Sequence, residues 1–246
     1  MPETQIAAPR RFAGRVALVT GASRGLGAAI ARGLGAEGAH VVLLARTVGG
    51  LEEQDDAIRA AGGTATLVPL DLRQSDKIGQ AAAALFERFG RLDIVVGAAA
   101  VLGPVAPIAH ADPRQVFEAI TVNAAANFML MRMVDPLLRR AEAGRAVFLT
   151  DSAADGRQAF FAAYAASKAA LESLARSWAA ELRETPVRVN LVDPGPLGTR
   201  LRAAAYPGIP EGQWPRVESA VPGVLELLLP SCDHHGALIR LGRGHS

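Results

Sequence analysis

A tyrosine and a lysine stand four positions apart in the second half of this 246-residue sequence. Tyr164 and Lys168 fall near the start of a predicted helix, Phe161 to Glu184, so the spacing places both side chains on one face. A free tyrosine has a pKa of about 10, and an ammonium group within about 4 to 6 Å favours its phenolate form. The pair therefore predicts a tyrosine that acts as an acid or base. Taken alone, a Tyr-x-x-x-Lys spacing more often marks an ordinary helix contact.

A second candidate site is the glycine-rich segment Thr20 to Gly27, which has the spacing Gly-x-x-x-Gly-x-Gly. It follows an apolar run and leads into a segment in which Leu26, Ile30 and Leu34 repeat with helical period. Glycines allow a sharp turn and a close approach to a pyrophosphate, whose charge meets the helix N-terminal amides. A strand, this turn and an amphipathic helix together predict a dinucleotide site, whereas the glycines alone fit a simple tight turn equally well.

The residues that end the second predicted strand indicate the type of dinucleotide. An acidic side chain there binds the ribose 2′-hydroxyl of NAD, whereas a basic one accommodates the 2′-phosphate of NADP. This chain has Ala45 and Arg46, and Arg24 in the glycine turn supplies a second guanidinium. Because guanidinium groups match phosphate geometry, we expect NADP(H) to be favoured over NAD(H). The alternative is that both arginines are solvated loop residues.

Apolar runs that alternate with helical segments predict the architecture that positions these groups. Right-handed crossovers between such runs give an α/β fold, a Rossmann-like doubly wound parallel sheet with helices on both faces and a ligand crevice at its carboxyl edge. No linker or repeat divides the chain, so residues 12–246 are predicted as one domain and residues 1–11 as a flexible N-terminal extension. The proline- and glycine-rich segment Gly195 to Gln213 is the expected mobile flap. Seven runs are predicted as strands: Val16 to Thr20, His40 to Ala45, Ala65 to Leu70, Leu92 to Val96, Ala146 to Thr150, Val187 to Val192 and Ala237 to Leu241.

Together these motifs resemble the short-chain dehydrogenase/reductase family. The resemblance implies a single-domain Rossmann-like fold and hydride exchange between a nicotinamide cofactor and a carbonyl or alcohol group of a small molecule. It also implies a homodimer or homotetramer. It covers roughly Phe12 to Leu241 and rests on the joint order of several motifs: Thr20-Gly-x-x-x-Gly-x-Gly27, Asp71 after the third strand, Asn123, Ser152, Tyr164-x-x-x-Lys168, Pro194-Gly195 and Thr199.

The resemblance also implies roles for individual residues. Ser152, just after the fifth predicted strand, would hold the substrate oxygen, and Tyr164 would pass it a proton. Lys168 would bind the nicotinamide ribose and lower the pKa of the tyrosine, while Asn123 would hold a water in the proton relay. Asp71 would meet the adenine, although Asn123 also fits a buried amide satisfied by the backbone and Asp71 a helix cap. The expected cofactor contacts are Gly21, Ser23, Arg24, Gly25, Leu26, Gly27, Arg46, Asp71, Leu72, Ala98, Ala99, Tyr164, Lys168, Pro194, Gly195 and Thr199.

One departure from the family pattern follows the fourth predicted strand. Where the family usually has Asn-Asn-Ala-Gly, this chain has Gly97-Ala98-Ala99-Ala100. The missing asparagine would have tied the sheet together, and the Cβ of Ala100 narrows the space beside the cofactor ribose. We therefore expect a less rigid sheet and weaker cofactor binding with catalysis retained, and we expect Gly97→Asn with Ala100→Gly to restore affinity.

Composition argues against several other classes of protein. The net charge is +2 and no run of basic residues forms a stripe, so we expect no nucleic acid partner. The single cysteine, Cys232, excludes an intrachain disulfide, and the apolar stretches are too short or too interrupted for a signal peptide or a membrane span. We therefore expect a soluble cytoplasmic protein. The tail Cys232-Asp233-His234-His235 carries metal-binding atoms, but adjacent histidines project apart, so no metal is expected.

Two rival functions are compatible with the same motifs. A nucleotide-sensing protein that keeps the fold but has lost turnover is suggested by the change at Gly97 to Ala100, and the intact Ser152, Tyr164 and Lys168 argue against it. An NAD-linked dehydrogenase or epimerase differs only in cofactor and chemistry. The sequence assigns neither the substrate nor the direction of the reaction.

Overall fold

A single parallel sheet organises the molecule, which confirms the doubly wound, seven-stranded prediction. The computed structural model describes residues 10–210 and 212–242. Within them the strands pair in the order β3-β2-β1-β4-β5-β6-β7, and every pair is parallel. Their bounds are β1 Val16–Thr20, β2 His40–Ala45, β3 Thr64–Pro69, β4 Ile94–Gly97, β5 Arg145–Leu149, β6 Arg188–Asp193 and β7 Leu238–Arg240.

Eight α-helices in the described ranges cover the two faces of the sheet. The chain runs from α4 through one π-helical turn, Thr121–Ala125, into α5. Three short 3-10 turns lie at Ile108–His110, Ser152–Asp155 and Val217–Ala220. The helices are α1 Gly25–Ala36, α2 Val48–Ala60, α3 Ser75–Phe89, α4 Pro113–Ile120, α5 Ala126–Leu138, α6 Ala162–Glu181, α7 Arg200–Ala205 and α8 Val221–Glu226.

Two apolar layers hold the helices on the sheet. On one face α1, α2 and α8 bury residues such as Ile30 and Leu51 against the strands. On the other face α3, α5 and α6 bury Leu130, Leu171 and Trp178. Because strands in this sheet are covered on both faces, their residues are buried and mostly apolar; in β5 all five residues are buried and four of them are apolar.

The strand order reverses direction beside β1, and this reversal positions the site. β1 has β2 on one side and β4 on the other, and Thr20 at its end is level with Leu44 and with Gly97. The connections from neighbouring strand ends therefore leave toward opposite faces of the sheet and open a crevice between them.

Strand and helix ends differ from the prediction by one to three residues. β1 and β2 match, whereas β5 begins at Arg145 and ends at Leu149. Arg145 looks too polar for a buried strand, but its guanidinium donates to the carbonyl oxygens of Leu229 at 3.0 Å and Pro186 at 3.1 Å, which satisfies it. β5 can therefore begin one residue earlier than predicted, at a buried arginine.

Residues 1–9 of the predicted N-terminal extension lie outside the described part of the chain. Arg10 donates to the Gly62 carbonyl at 2.9 Å, and Arg11 pairs with Glu37 and Glu226. These two arginines therefore contact the folded unit. No helix among the described residues is long and apolar enough to span a bilayer.

Position 97 has to be a glycine because the side chain of Phe148 on β5 fills the space beside it. This packing is contrary to the expectation that Gly97 makes the sheet less rigid. Gly97 pairs with Phe148, and a Cβ on Gly97 would lie 2.3 Å from Cδ1 of Phe148 and 2.9 Å from Oδ1 of Asn127. Phe148 is fully buried and meets Trp178 edge-on, with ring centroids 6.2 Å apart. The phenyl ring fills the space that an asparagine at position 97 would need. The expectation that Gly97→Asn rigidifies this sheet is therefore wrong.

We expect Gly97→Ala to lower the free energy of unfolding by about 1 to 3 kcal/mol, the usual cost of overpacking a filled core. The loss should shrink when Phe148→Leu is added, because the smaller side chain can move away from the new methyl group. Urea unfolding of the two single variants and the double variant measures this coupling.

Gly49→Ala is the matched control, because a Cβ there meets nothing within 4 Å and the residue lies inside α2. Its stability should be unchanged or slightly raised. Strictly additive losses at Gly97 and Phe148 would contradict the proposed steric conflict.

Candidate active site

One large cavity, of about 670 Å³, opens where the described strands reach their carboxyl ends. The turn between β1 and α1 forms one end of it, and residues after β2, β3 and β4 form the side. Tyr164 and Lys168 on α6 and the segment 194–202 after β6 form the other end. The fold thus brings the glycine turn and the Tyr-Lys pair, which are far apart in sequence, to one cavity.

The glycine turn approaches the end of β4 so closely that side chains would not fit. Gly21 has φ +65°, and a Cβ there would lie 2.8 Å from the backbone N and Cα of Ala99. A Cβ on Gly27 would lie 2.5 Å from the Gly21 carbonyl oxygen. Arg24, at the N-cap of α1, provides no side-chain hydrogen bond to the helix. The first amides of α1 are therefore left for an anionic group at this end of the cavity.

Thr20 fixes this arrangement, and the sequence did not single it out beyond its place in the motif. The side chain is fully buried, and its Oγ1 accepts from the Ala98 N–H at 3.1 Å and the Ala99 N–H at 3.3 Å. It also donates to the Val96 carbonyl at 3.4 Å. Thr20 therefore supplies the tie between β1 and β4 that the family pattern led us to expect from an asparagine.

Three charged residues line the same cavity: one in the glycine turn, one after β2 and one after β3. Arg24 and Arg46 line the cavity and are both exposed, so their guanidinium groups can reach a bound anion. Asp71 also lines it, but its carboxylate is bonded to the Arg73 guanidinium, which in turn pairs with Glu118. These hydrogen bonds from Arg73 hold the pKa of Asp71 below its usual range.

Tyr164 and Lys168 are buried, with 6% and 3% of their surfaces exposed. The Lys168 ammonium lies 5.6 Å from the centre of the Tyr164 ring and donates to the Leu149 carbonyl at 2.8 Å. Burial lowers the pKa of Lys168 to about 8. Burial, and then the Asp151 carboxylate, raise the pKa of Tyr164 above its ordinary value.

The direction of the tyrosine shift is opposite to the one that the sequence predicted. The lysine charge is directed to a backbone carbonyl, while desolvation of the phenol and a nearby carboxylate both favour the neutral form. Both effects therefore favour the neutral phenol of Tyr164, the form that carries a proton.

Asn123 lies behind the cavity and not on its wall. It is fully buried in the π-helical turn, its Oδ1 accepts from the Val101 N–H at 2.8 Å, and its Nδ2 donates to the Val101 carbonyl at 2.8 Å. Nδ2 also donates to Oγ of Ser167 at 2.9 Å. The amide thus joins the chain after β4 to α6, and its role in a water relay stays a prediction.

The structure does not bring Ser152 to the cavity. Ser152 is exposed at the start of a 3-10 turn, and the residue that lines the cavity beside Tyr164 is Asp151. Oδ1 of Asp151 accepts from the Ala153 N–H at 2.9 Å, and Oδ2 lies 3.6 Å from Nη2 of Arg202. The backbone stays paired with β6 as far as Thr150, whose N–H donates to the Val192 carbonyl at 2.8 Å, and the next residue, Asp151, caps the 3-10 turn and lines the cavity. The end of an apolar run is too loosely defined in sequence to have shown this.

The predicted flap forms part of the cavity wall. Gly195 has φ +72° and donates its N–H to Oδ1 of Asp193 at 3.0 Å. Thr199 caps α7, since its Oγ1 accepts from the Arg202 N–H at 3.1 Å. These bonds define the path of the segment, and its mobility stays a prediction.

A smaller cavity adjoins the large one on the α7 side. Asp151, Tyr164 and Arg202 line both cavities and so stand at the boundary between them. The Arg202 guanidinium lies 5.1 Å from the Tyr206 ring centre and 5.2 Å from that of Trp214. The rest of the lining is largely apolar: Leu102, Ala153, Gln158, Phe161, Leu201, Ala205 and Tyr206.

All sixteen expected cofactor residues lie on the wall of the large cavity, whereas two of the four expected catalytic residues, Asn123 and Ser152, do not. In the C-terminal tail, His235 contacts backbone groups through both ring nitrogens, the Val189 N–H at 3.2 Å and the Ala179 carbonyl at 2.7 Å. Within residues 10–210 and 212–242, no three His, Cys, Asp or Glu side chains cluster as metal ligands would.

Solved structures show how widely this arrangement is shared. The chain aligns with the oxidoreductase YciK of Escherichia coli at a TM-score of 0.90 and 32% identity, covering 94% of this chain and 96% of that one. A Shigella flexneri short-chain dehydrogenase complexed with NADP aligns at a TM-score of 0.91 and 31% identity, over 94% of this chain and 98% of that one.

Sequence comparison agrees. Uncharacterized oxidoreductase YciK of Escherichia coli is 35% identical over 78% of this chain and 77% of its own length. The 2,3-dihydro-2,3-dihydroxybenzoate dehydrogenase of Bacillus subtilis is 33% identical over 77% of this chain and 72% of its own. The family model for short chain dehydrogenases matches residues 15–209. The chain therefore belongs to the short-chain dehydrogenase/reductase family and is an oxidoreductase of that family.

Proposed function

We propose that the protein transfers a hydride between NADP(H) and a carbonyl or alcohol group of a small molecule. The observation that carries this proposal is the position of Tyr164 and Lys168, which are buried side by side on the wall of the cavity that begins at the glycine turn. A dinucleotide long enough to run from the turn to the tyrosine would place its reactive ring at the proton donor.

The glycine turn fits the pyrophosphate of such a cofactor. Gly21 and Gly27 leave room only for backbone, and the uncapped amides at the start of α1 offer donors to an anion. Ser23 and Gly25 lie in the same turn and on the same wall. Ala98 and Ala99 line the adjoining stretch with their amides held by Thr20, so the backbone there is fixed before a ligand arrives.

The preference for NADP rests on charge. Arg46 follows β2 at the position where an acidic residue would bind the NAD ribose, and Arg24 supplies a second cation on the same wall. The Shigella flexneri relative complexed with NADP, 31% identical to this chain, supports the same choice of cofactor.

Each side chain at the reacting end of the cavity has a separate role in the hydride transfer. The cofactor supplies or accepts the hydride. Tyr164, held as a neutral phenol, donates a proton to the substrate oxygen during reduction, because a carbonyl oxygen that gains negative charge is a far stronger base than the ground-state ketone. Lys168 is fixed by the Leu149 carbonyl, and the Arg202 guanidinium provides the positive charge that favours the phenolate that remains.

We also propose that the protein works as a homodimer or homotetramer in the cytoplasm. Large apolar side chains on α4 and α5 support this assembly, since Phe117 is 69% exposed and Phe128 is 48% exposed. A second copy of the chain would remove such surface from water.

The first test concerns cofactor preference. NADPH should bind at least about fivefold more tightly than NADH, the ratio expected for one partly exposed charge contact of about 1 kcal/mol. Arg46→Ala should remove most of that ratio, whereas Arg157→Ala, whose side chain is 88% exposed and off the cavity wall, should leave it unchanged. Fluorescence titration of both dinucleotides measures the ratio, and equal affinities in the unmodified protein would exclude a 2′-phosphate site at Arg46.

The second test concerns the proton donor. Tyr164→Phe keeps the ring and removes the hydroxyl, so kcat for carbonyl reduction should fall by at least about 100-fold. NADPH affinity and the melting temperature should stay close to their original values. Turnover within tenfold of the original would remove Tyr164 from the mechanism, and NADPH binding without turnover of any substrate by the unmodified protein would favour the sensor.

The third test concerns the buried ammonium of Lys168. The folded protein releases this proton at about pH 8, whereas the unfolded chain keeps it to about 10.5. Between these values the unfolded state binds more protons, so the free energy of unfolding rises with pH. Relative to Lys168→Met, the protein should gain at most about 2 kcal/mol between pH 8 and 9.5.

Urea unfolding across this pH range measures the difference. Lys77→Met is the matched control, because Lys77 is the sequence's other lysine and is exposed, so its removal should leave the pH dependence unchanged. A constant difference between the protein and Lys168→Met across the range would show that the ammonium does not lose its proton there.

A further inference from the structure

The group that shares the reacting end of the cavity with Tyr164 is a carboxylate. Asp151 lies at the boundary of the two cavities, and its side chain is 22% exposed. Oδ1 is occupied by the Ala153 N–H, which fixes the orientation of the carboxyl group. In the described part of the chain, Oδ2 has an ion pair with Arg202 at 3.6 Å but no hydrogen bond. One oxygen is therefore oriented and ready to accept a donor from a ligand.

A carboxylate and a hydroxyl at this position bind different chemical groups of a substrate. A hydroxyl both donates and accepts, so it can donate to a carbonyl oxygen that becomes negative. An ionised carboxylate only accepts, and its charge opposes a second negative charge beside it. It matches a group that carries a proton and a positive charge, such as the N–H of a protonated imine.

Aromatic side chains lie beside Asp151, and because the smaller cavity, of about 10 Å³, has room for about one water molecule, a cyclic compound would lie in the large cavity and contact this apolar edge. Phe161 and Tyr206 stack with their ring centres 5.8 Å apart and their planes 28° apart, and they line the smaller cavity together with Leu201. Arg202 is packed near Tyr206 and has 17% of its side chain exposed, and its Nη2 lies 3.6 Å from Oδ2, so it partly balances the charge of the carboxylate at a distance longer than a hydrogen bond. The wall thus offers apolar area for a ring and one acceptor for its nitrogen.

We propose a further activity: Asp151 adapts this site to bind and reduce cyclic imines in their protonated form. The proposal rests on the proposed NADP(H) chemistry and extends it from C=O to C=N bonds. The imine takes its proton from solvent, and the resulting N–H donates to Oδ2 of Asp151. A hydride from NADPH forms the new C–H bond while the C=N π pair moves to nitrogen. The products are the neutral amine and NADP⁺, and the net reaction consumes one proton.

Equilibrium binding tests the recognition step separately from turnover. We would titrate 3,4-dihydroisoquinoline and 1-tetralone, a bicyclic ketone of similar size, into the protein with and without NADP⁺ by calorimetry at pH 7. The imine should bind at least tenfold more tightly than the ketone. Asp151→Asn keeps an oxygen for Ala153 and removes the charge, so it should lose at least tenfold in imine affinity and less than twofold in ketone affinity.

Two further variants separate charge from structure. Asp151→Glu restores the charge and should recover part of the imine affinity. Asp155→Asn makes the same carboxylate-to-amide change on the same turn, where the side chain is 53% exposed and off both cavities, and it should change nothing. NADPH affinity and melting temperature should be similar in all three variants.

NADPH oxidation with the two compounds completes the test. Wild-type kcat/KM should be higher for the imine, and Asp151→Asn should reverse the order. Ketone reduction with no preference for imine in binding or turnover would overturn this inference and leave the proposed function in place. A protein that binds neither NADPH nor the imine would overturn both.

Discussion

The site depends on one contact, in which the turn after β1 packs against the residues that follow β4. The backbone of Gly21 packs against Ala98 and Ala99 and leaves no room for a Cβ on Gly21. The Thr20 hydroxyl accepts hydrogen bonds from the amides of both alanines. This contact forms the wall of the crevice at the point where the strand order reverses. A cavity wall built in this way presents amides and carbonyls at fixed positions, so a dinucleotide meets a surface that needs little reorganisation.

The polar groups at the other end of the cavity are held in place by burial and by one another. Thr150 donates to Glu172 at 2.8 Å, and Glu172 pairs with Arg176, so the carboxylate of Glu172 in the middle of α6 already has partners. Lys168 is left to the Leu149 carbonyl and to the combined field of Asp151 and Glu172, both of which favour its charged form against desolvation. Burial outweighs these two carboxylates, so the pKa of Lys168 falls to about 8.

Sequence periodicity predicted the sheet because strands buried on both faces must be continuously apolar. The glycine turn and the Tyr-Lys pair followed from local spacing, which a helix or a tight turn converts directly into geometry. The side-chain contacts between neighbouring strands could not be predicted from the sequence. Gly97 appeared to weaken the sheet, yet Phe148 on the next strand fills its space, and only the register of β4 and β5 reveals this. The expected lowering of the pKa of Tyr164 is also wrong, because the burial that raises this pKa is a property of the whole fold.

The most consequential of these differences is the smallest in sequence. β5 ends at Leu149, one residue before the predicted end, and the residue that lines the cavity is Asp151 rather than Ser152. That step replaces a hydroxyl, which can serve a developing oxyanion, with a carboxylate, which opposes one. Arg202 offsets the added charge from 3.6 Å but makes no hydrogen bond that would occupy the free oxygen. The charge at the reacting end is thus set by which residue of the segment after β5 lines the cavity, and that residue is Asp151.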